Sequence, residues 1–179
     1  MNHTRTTADI AEKTALLGIL SAQAVAVSFL EGLIPPFLPV AGMKPGFSNI
    51  VTMFACSSLG VTYAFFIVIF KALFALLTRG ATAFFMSIAG GILSLAVMAL
   101  IFRLGAKGFG LVGTGIASAL AHNAGQLIVA RFILGDAAWS LAPLLILTSV
   151  LAGGVTGIIL KIVLPVLEKE KSHFLHKKH

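Results

Sequence analysis

Three stretches of this chain, residues 81–102, 109–130 and 141–160, contain no charged side chain. Wound as an α-helix, each is about the ~20 residues needed to cross ~30 Å of hydrocarbon. Such segments leave the chain few folds, because inside a bilayer every backbone amide must be satisfied by the protein itself. That restricts a spanning chain to helices or a closed barrel, and a barrel would show alternating segments of roughly ten residues, which this sequence lacks. The reading is an all-α fold, a polytopic membrane bundle of about six transmembrane helices. Composition agrees, since only 11% of the 179 residues are charged and 58% are apolar. A soluble domain carries roughly 25% charged residues.

The chain divides into a polar leader at 1–13, a transmembrane domain at 14–165 and a basic tail at 166–179. The first span is read at 14–34 and is stopped by Pro35, Pro36 and Pro39, each of which lacks an amide donor. Segment 35–46 is apolar yet broken by four prolines and two glycines. Irregular backbone this apolar is expected to dip into the bundle, where protein or a water-filled cavity satisfies its amides. A short second span follows at 47–56, a turn at 57–60 and a third span at 61–77. One bent helix over 47–78 would reduce the count to five. Arg79-Gly80 ends the third span, and the fourth covers 81–102. A basic loop leads to the fifth span at 111–134, closed by Gly135-Asp136, and the sixth runs over 141–163. Trp139 suits a membrane interface.

With six spans both termini share a side. Arg5, Lys13, Arg103, Lys107, Lys161 and the tail lysines then lie together, opposite Lys44, Arg79 and Arg131. The excess of basic residues marks the first group as cytoplasmic, in a cell-membrane protein. The net charge of +7 therefore reads as a topology signal and a contact to lipid headgroups, not as a nucleic-acid surface. Cys56 is the only cysteine, so no internal disulfide or thiolate metal site is expected. The chain has no phosphate-binding G-x-x-x-x-G-K-[ST] loop. Its two aspartates, Asp9 and Asp136, do not make the paired cluster that would hold magnesium and a diphosphate. The residues point to no enzyme, metal or cofactor.

Polar groups inside spans are costly, which makes them the first place to look for function. Here they fall at one depth, towards the outer leaflet. Glu31 ends the first span and Lys44 sits in the loop after it. Asn49 and Thr52 open the second span, Lys71 lies in the outer half of the third, and His122, Asn123, Gln126 and Arg131 lie in the outer half of the fifth. Thr114, Ser118, His122 and Gln126 recur every four residues along one slowly drifting face. For Thr114 and Ser118 the reading is interhelical hydrogen bonding. For His122, Asn123 and Gln126 it is a ligand site. No nucleophile with an acidic partner can be placed beside His122, and no second His or Cys stands at ligand spacing. Lys71 and Glu31 can neutralise each other. Alternatively Lys71, with Lys44 and Arg131, draws an anionic ligand, or Lys71 snorkels to the interface.

Small residues form a second pattern. Gly18, Ala22 and Ala26 recur every four residues on the first span, with Ala24 and Ser28 on a neighbouring face. Ser87, Gly91 and Ser94, beside Gly90, do much the same on the fourth span, and Gly153 with Gly157 on the sixth. Such faces let helix backbones approach closely, within the bundle or, on the first helix, against a partner.

Four motifs, Glu31-Gly-Leu-Ile-Pro-Pro, Gly42-Met-Lys-Pro-Gly-Phe-Ser-Asn-Ile-Val-Thr52, Ser87-Ile-Ala-Gly-Gly-Ile-Leu-Ser94 and Ala121-His-Asn-Ala-Gly-Gln-Leu127, keep their order over roughly residues 14–165. Together they resemble the Gx transporter family, also labelled heptaprenyl diphosphate synthase component I. That family is similar to the substrate-binding (S) components of energy-coupling-factor transporters. The resemblance implies six helices, a ligand site open to the outside and a proline-rich lid. It also implies a transmembrane coupling protein docked on an alanine-x-x-x-alanine face, with ATPase subunits supplying energy. Ala22-Gln-Ala-Val-Ala26 matches that face, so Ala22 and Ala26 become docking candidates. Lys71 stands where relatives would carry arginine, which keeps the charge without its bidentate geometry. The expected ligand is a small, anionic, vitamin-like molecule, a flavin or a quinone or isoprenoid precursor, held by Glu31, Lys44, Asn49, Lys71, His122, Asn123 and Gln126. The alternative function is a non-transporting membrane subunit of a prenyl diphosphate synthase or electron-transfer complex.

Overall fold

The computed structural model describes residues 2–33, 44, 46–105 and 109–176, with side chains between residues 11 and 165. The proline-rich segment, apart from Lys44 and Gly46, lies outside the described residues, as do Lys107 and the side chains of the leader and tail. Five α-helices and one 3-10 turn follow in order: α1 Asn2–Leu33, α2 Asn49–Ser58, α3 Val61–Arg103, α4 Gly110–Leu134, the turn Gly135–Leu141, and α5 Ala142–His176. No strand occurs among the described residues. Three helical stretches, Ala11–Leu33, Val61–Arg103 and Gly110–Pro165, are long and apolar enough to cross a bilayer. The chain is a membrane protein.

Both ends extend the sequence reading. Residues 2–13 are helical and continuous with α1, because this polar stretch holds no proline or glycine to interrupt the i→i−4 ladder. At the other end α5 runs through Pro165 to His176, since one missing amide donor does not end a helix that is otherwise apolar and uninterrupted. Leader and tail are thus helical extensions in their backbone.

The 43 residues of α3 would measure about 65 Å as a straight rod, twice the hydrocarbon thickness. Gly80 prevents that. Its φ of 84° and ψ of −175° break the helix in a region open chiefly to glycine, leaving arms at 61–79 and 81–103. A Cβ built on Gly91 would stand 2.5 Å from Val68 Cγ1, so the second arm folds back along the first. The α4 and α5 helices form a similar hairpin, with Asn123 of α4 bonded to Leu145 and Ser149 of α5. Gly60, with φ 101°, separates α2 from α3, which removes the single bent helix as an alternative. At ten residues, α2 is only about 15 Å long. Its first residue, Asn49, meets Lys71 in the middle of the arm 61–79. The start of α2 therefore lies inside the bundle, as do the buried residues Lys44 and Ser48 before it.

The outer surface is apolar, unlike that of a soluble protein. Leu30, Phe70, Leu77, Phe132 and Ile162 are exposed, which suits contact with lipid chains. Beneath them one apolar cluster joins Met53, Ile67, Met98 and Leu160, and a second joins Met86, Ala130, Leu141 and Leu145. Glycines set the helix spacing. A Cβ on Gly153 would lie 2.5 Å from the Gly115 carbonyl oxygen and 2.6 Å from Ile116 Cα. On Gly125 it would lie 2.6 Å from the Ala89 oxygen. These are backbone-to-backbone contacts that no rotamer change relieves, and small residues are what permit them. The small-residue faces on 81–103 and α5 thus serve internal packing. On α1 the pattern splits: Ala24 and Ser28 are buried, whereas Gly18, Ala22 and Ala26 are exposed.

Substituting Gly153→Ala should lower stability by about 1–3 kcal/mol through overpacking. Gly18→Ala, with nothing within 4 Å of the new methyl, should be neutral or stabilising by helix propensity. Thermal unfolding of both variants in the same detergent checks the pair.

Candidate functional site

At the end of the bundle that holds Gly80 and the turn Gly135–Leu141, several buried polar side chains converge. All seven residues expected to bind a ligand, Glu31, Lys44, Asn49, Lys71, His122, Asn123 and Gln126, are at most 8% exposed. Lys71 is buried and does not snorkel. Five of them, Glu31, Lys44, Lys71, His122 and Gln126, line one narrow cleft whose free volume is only about 10 Å³, room for one water-sized group. They come from α1, the α1–α2 connection, α3 and α4.

Each is positioned by local chemistry. Lys44 is held twice. Its backbone N–H donates to Gln126 Oε1 at 3.1 Å, and Gln126 Nε2 donates back to the Lys44 carbonyl at 3.4 Å. Its ammonium donates to the Ser28 hydroxyl at 2.7 Å and to the Ser28 carbonyl. One residue of the connection thereby ties α1 to α4 across the cleft. Lys71 donates to Asn49 Oδ1 at 3.2 Å. The His122 ring packs against Gly90, where any Cβ would fall 2.8 Å from its Nδ1. On its other side lies Gly46 (φ 93°), where a Cβ would sit 3.5 Å from both the His122 ring and Asn49 Nδ2. Two glycines therefore clamp the imidazole, and Asn49 stands beside the cleft as a neighbour of both Lys71 and His122.

Asn123 is placed differently. Its amide donates to Ser149 Oγ at 2.7 Å and to the Leu145 carbonyl at 3.1 Å, which turns it towards α5 and away from the cleft. Arg131 is also elsewhere, half-exposed and paired with Asp136 at 2.7 Å. The third cation of the cleft is Arg79, which the sequence reading assigned only to the end of a span. Ser28, Ser48 and Ser87 also line the cleft. Ser28 had a usable signal, standing three residues before Glu31 on the same helix face. Arg79 had none, because the reversal at Gly80 brings it against Gly32. Thr114 and Ser118 donate to Gly110 and Gly115 within their own helix, not between helices. Hydroxyls commonly return to i−3 or i−4 carbonyls in this way.

The electrostatics are unbalanced. Glu31 interacts with Lys44, Lys71 and Arg79, yet neither of its buried carboxylate oxygens has a hydrogen-bond partner. The direct Glu31–Lys71 neutralisation open to the sequence is therefore not made as a hydrogen-bonded pair. Asn49 Nδ2 is likewise buried without a partner. Each such group costs about 1–3 kcal/mol, more when charged. Spare donors and acceptors around so small a space suit a water molecule, or the polar end of a solute once the cleft widens. No group of three or more His, Cys, Asp or Glu able to hold a metal occurs among the described residues.

No curated protein and no solved structure matches the chain. The family model described as heptaprenyl diphosphate synthase component I matches residues 20–163. That span contains α2, α3, α4 and every cleft residue named above, and the chain belongs to this family.

Proposed function

We propose that the chain is the substrate-binding membrane subunit of a small-molecule uptake system in the cell membrane, with its cleft open to the outside. In this reading there are six passes: α1, the short α2, the two arms of α3, α4 and α5. Both termini are then cytoplasmic. The exposed cations Lys13, Arg103 and Lys161 lie at the end opposite the cleft, as the positive-inside rule requires. The observation that carries the reading is the cleft itself, where Lys44, Lys71 and Arg79 face one acidic residue that none of them pairs directly. An anionic solute would complete it, whether vitamin-like, a flavin or a quinone or isoprenoid precursor. His122 and Asn49 would hydrogen-bond this solute, Gln126 would hold Lys44 in place, and Asn123 would fix α4 against α5. Energy would come from a separate coupling protein and ATPase subunits, docked on the exposed face of Ala22 and Ala26.

The family's description favours a second reading, a non-transporting membrane subunit working with a prenyl diphosphate synthase or an electron-transfer complex. The two readings differ in what the chain holds on to. Pull-down from native membrane recovers a coupling protein with ATPases under the first, and a soluble synthase or redox protein under the second. Ala22→Leu or Ala26→Leu should abolish recovery of that partner without altering thermal unfolding, because both positions are exposed.

Three further outcomes test the capture reading. Lys71→Met removes the charge at similar length and should slow depletion of the solute from the medium about 10–100-fold, the worth of one charge-assisted contact. Arg131→Ala, outside the cleft, should leave uptake unchanged. In a Cys56→Ser background, Ser140→Cys, exposed in the turn at the cleft end, should react with an impermeant maleimide added to whole cells, whereas Leu104→Cys, at the opposite end, should not. The reverse labelling pattern would overturn the outward-facing cleft.

A further inference from the structure

We infer that the ligand of this cleft is amphoteric: one small molecule bearing an anionic group together with an amine or other N–H donor. The inference rests on the capture reading and specifies its substrate class. The donor and acceptor accounting of the cleft points there. An ammonium has three protons. Lys71 places one on Asn49, and Lys44 places its own on Ser28, so both retain capacity towards a ligand, as does the guanidinium of Arg79. These groups and Asn49 Nδ2 can only donate. Glu31 can only accept when ionised, and nothing in the cleft donates to either of its oxygens.

A purely anionic ligand would leave those oxygens unmatched and bring a second negative charge beside them. A purely cationic one would face three positive side chains. A molecule with both groups satisfies both sets, and the two subsites adjoin. Glu31 is one helical turn from Ser28, where Lys44 is anchored, and its neighbour Gly32 abuts the Arg79 guanidinium, with Nη1 3.6 Å from a Cβ built there. Recognition of such a ligand divides between α1, which contributes the carboxylate, and the connection with α3, which contributes the cations. The same chemistry occurs in free solutes and in the headgroup of phosphatidylethanolamine.

Two probes that differ by one ammonium, 2-aminoethyl phosphate and ethyl phosphate, test the inference on the full chain in phosphatidylglycerol nanodiscs. Calorimetric titration at millimolar probe should show 2-aminoethyl phosphate binding at least about tenfold more tightly, one charge-assisted hydrogen bond's worth. Glu31→Gln, which keeps the shape, should bring the two within about twofold of each other. Equal affinity in the unaltered protein, or a preference for ethyl phosphate, overturns the amphoteric assignment while leaving capture of an anion standing. Binding of neither probe overturns both. Adding phosphatidylethanolamine to the nanodiscs separates the sources: weakened binding of 2-aminoethyl phosphate identifies the lipid headgroup as the occupant, and unchanged binding identifies a free solute.

Discussion

Ionised side chains inside a hydrocarbon-facing bundle must find partners, and this constraint organises the molecule. Lys44, Lys71, Arg79 and Glu31 are carried by three different parts of the chain. Leaving any of them against lipid would be costly, so they gather in one interior cleft while leucine, isoleucine and phenylalanine cover the outside. The gathering remains incomplete, since Glu31 is surrounded by cations and hydrogen-bonded to none.

Glycine makes that gathering geometrically feasible. Gly80 turns the α3 polypeptide back on itself, and the two arms then meet through Gly91 and Val68. Gly90 and Gly46 enclose the His122 ring from two sides. Gly125 rests on the Ala89 backbone, and Gly115 and Gly153 meet between α4 and α5. Lys71 and His122 can serve one cleft only because the arm 81–103 and α4 approach this closely. The Lys44 connection adds the last element, since its two backbone bonds to Gln126 and its ammonium bonds to Ser28 join α1 to α4.

The all-helical, membrane-crossing character was legible because hydrophobic length is a local property of the sequence. So were most of the helix ends, including the α2–α3 break at Gly60 and the turn at Gly80, because glycine acts at its own position. The cleft was legible in part. Polar residues at a shared depth are forced together, and Glu31, Lys44, Lys71, His122 and Gln126 do line one cleft. Rotation about a helix axis was harder to read. Asn123 is adjacent to His122 in sequence but about 100° around the helix, and it meets α5. Arg79 and Arg131 both lie at span ends, and only the tertiary reversal at Gly80 decides that the first enters the cleft. Whether Thr114 and Ser118 bond across or along a helix depends on backbone spacing that no sequence pattern displays.

Membership of the heptaprenyl diphosphate synthase component I family leaves the chemistry of the cleft as the most direct guide to function. The proposal made for that chemistry is a bound solute. Native mass spectrometry of the protein extracted from its own membrane addresses this most directly. The account requires a discrete small-molecule adduct on the unaltered chain that disappears in Lys71→Met. A chain that emerges bare, or one whose adduct survives loss of Lys71, contradicts it.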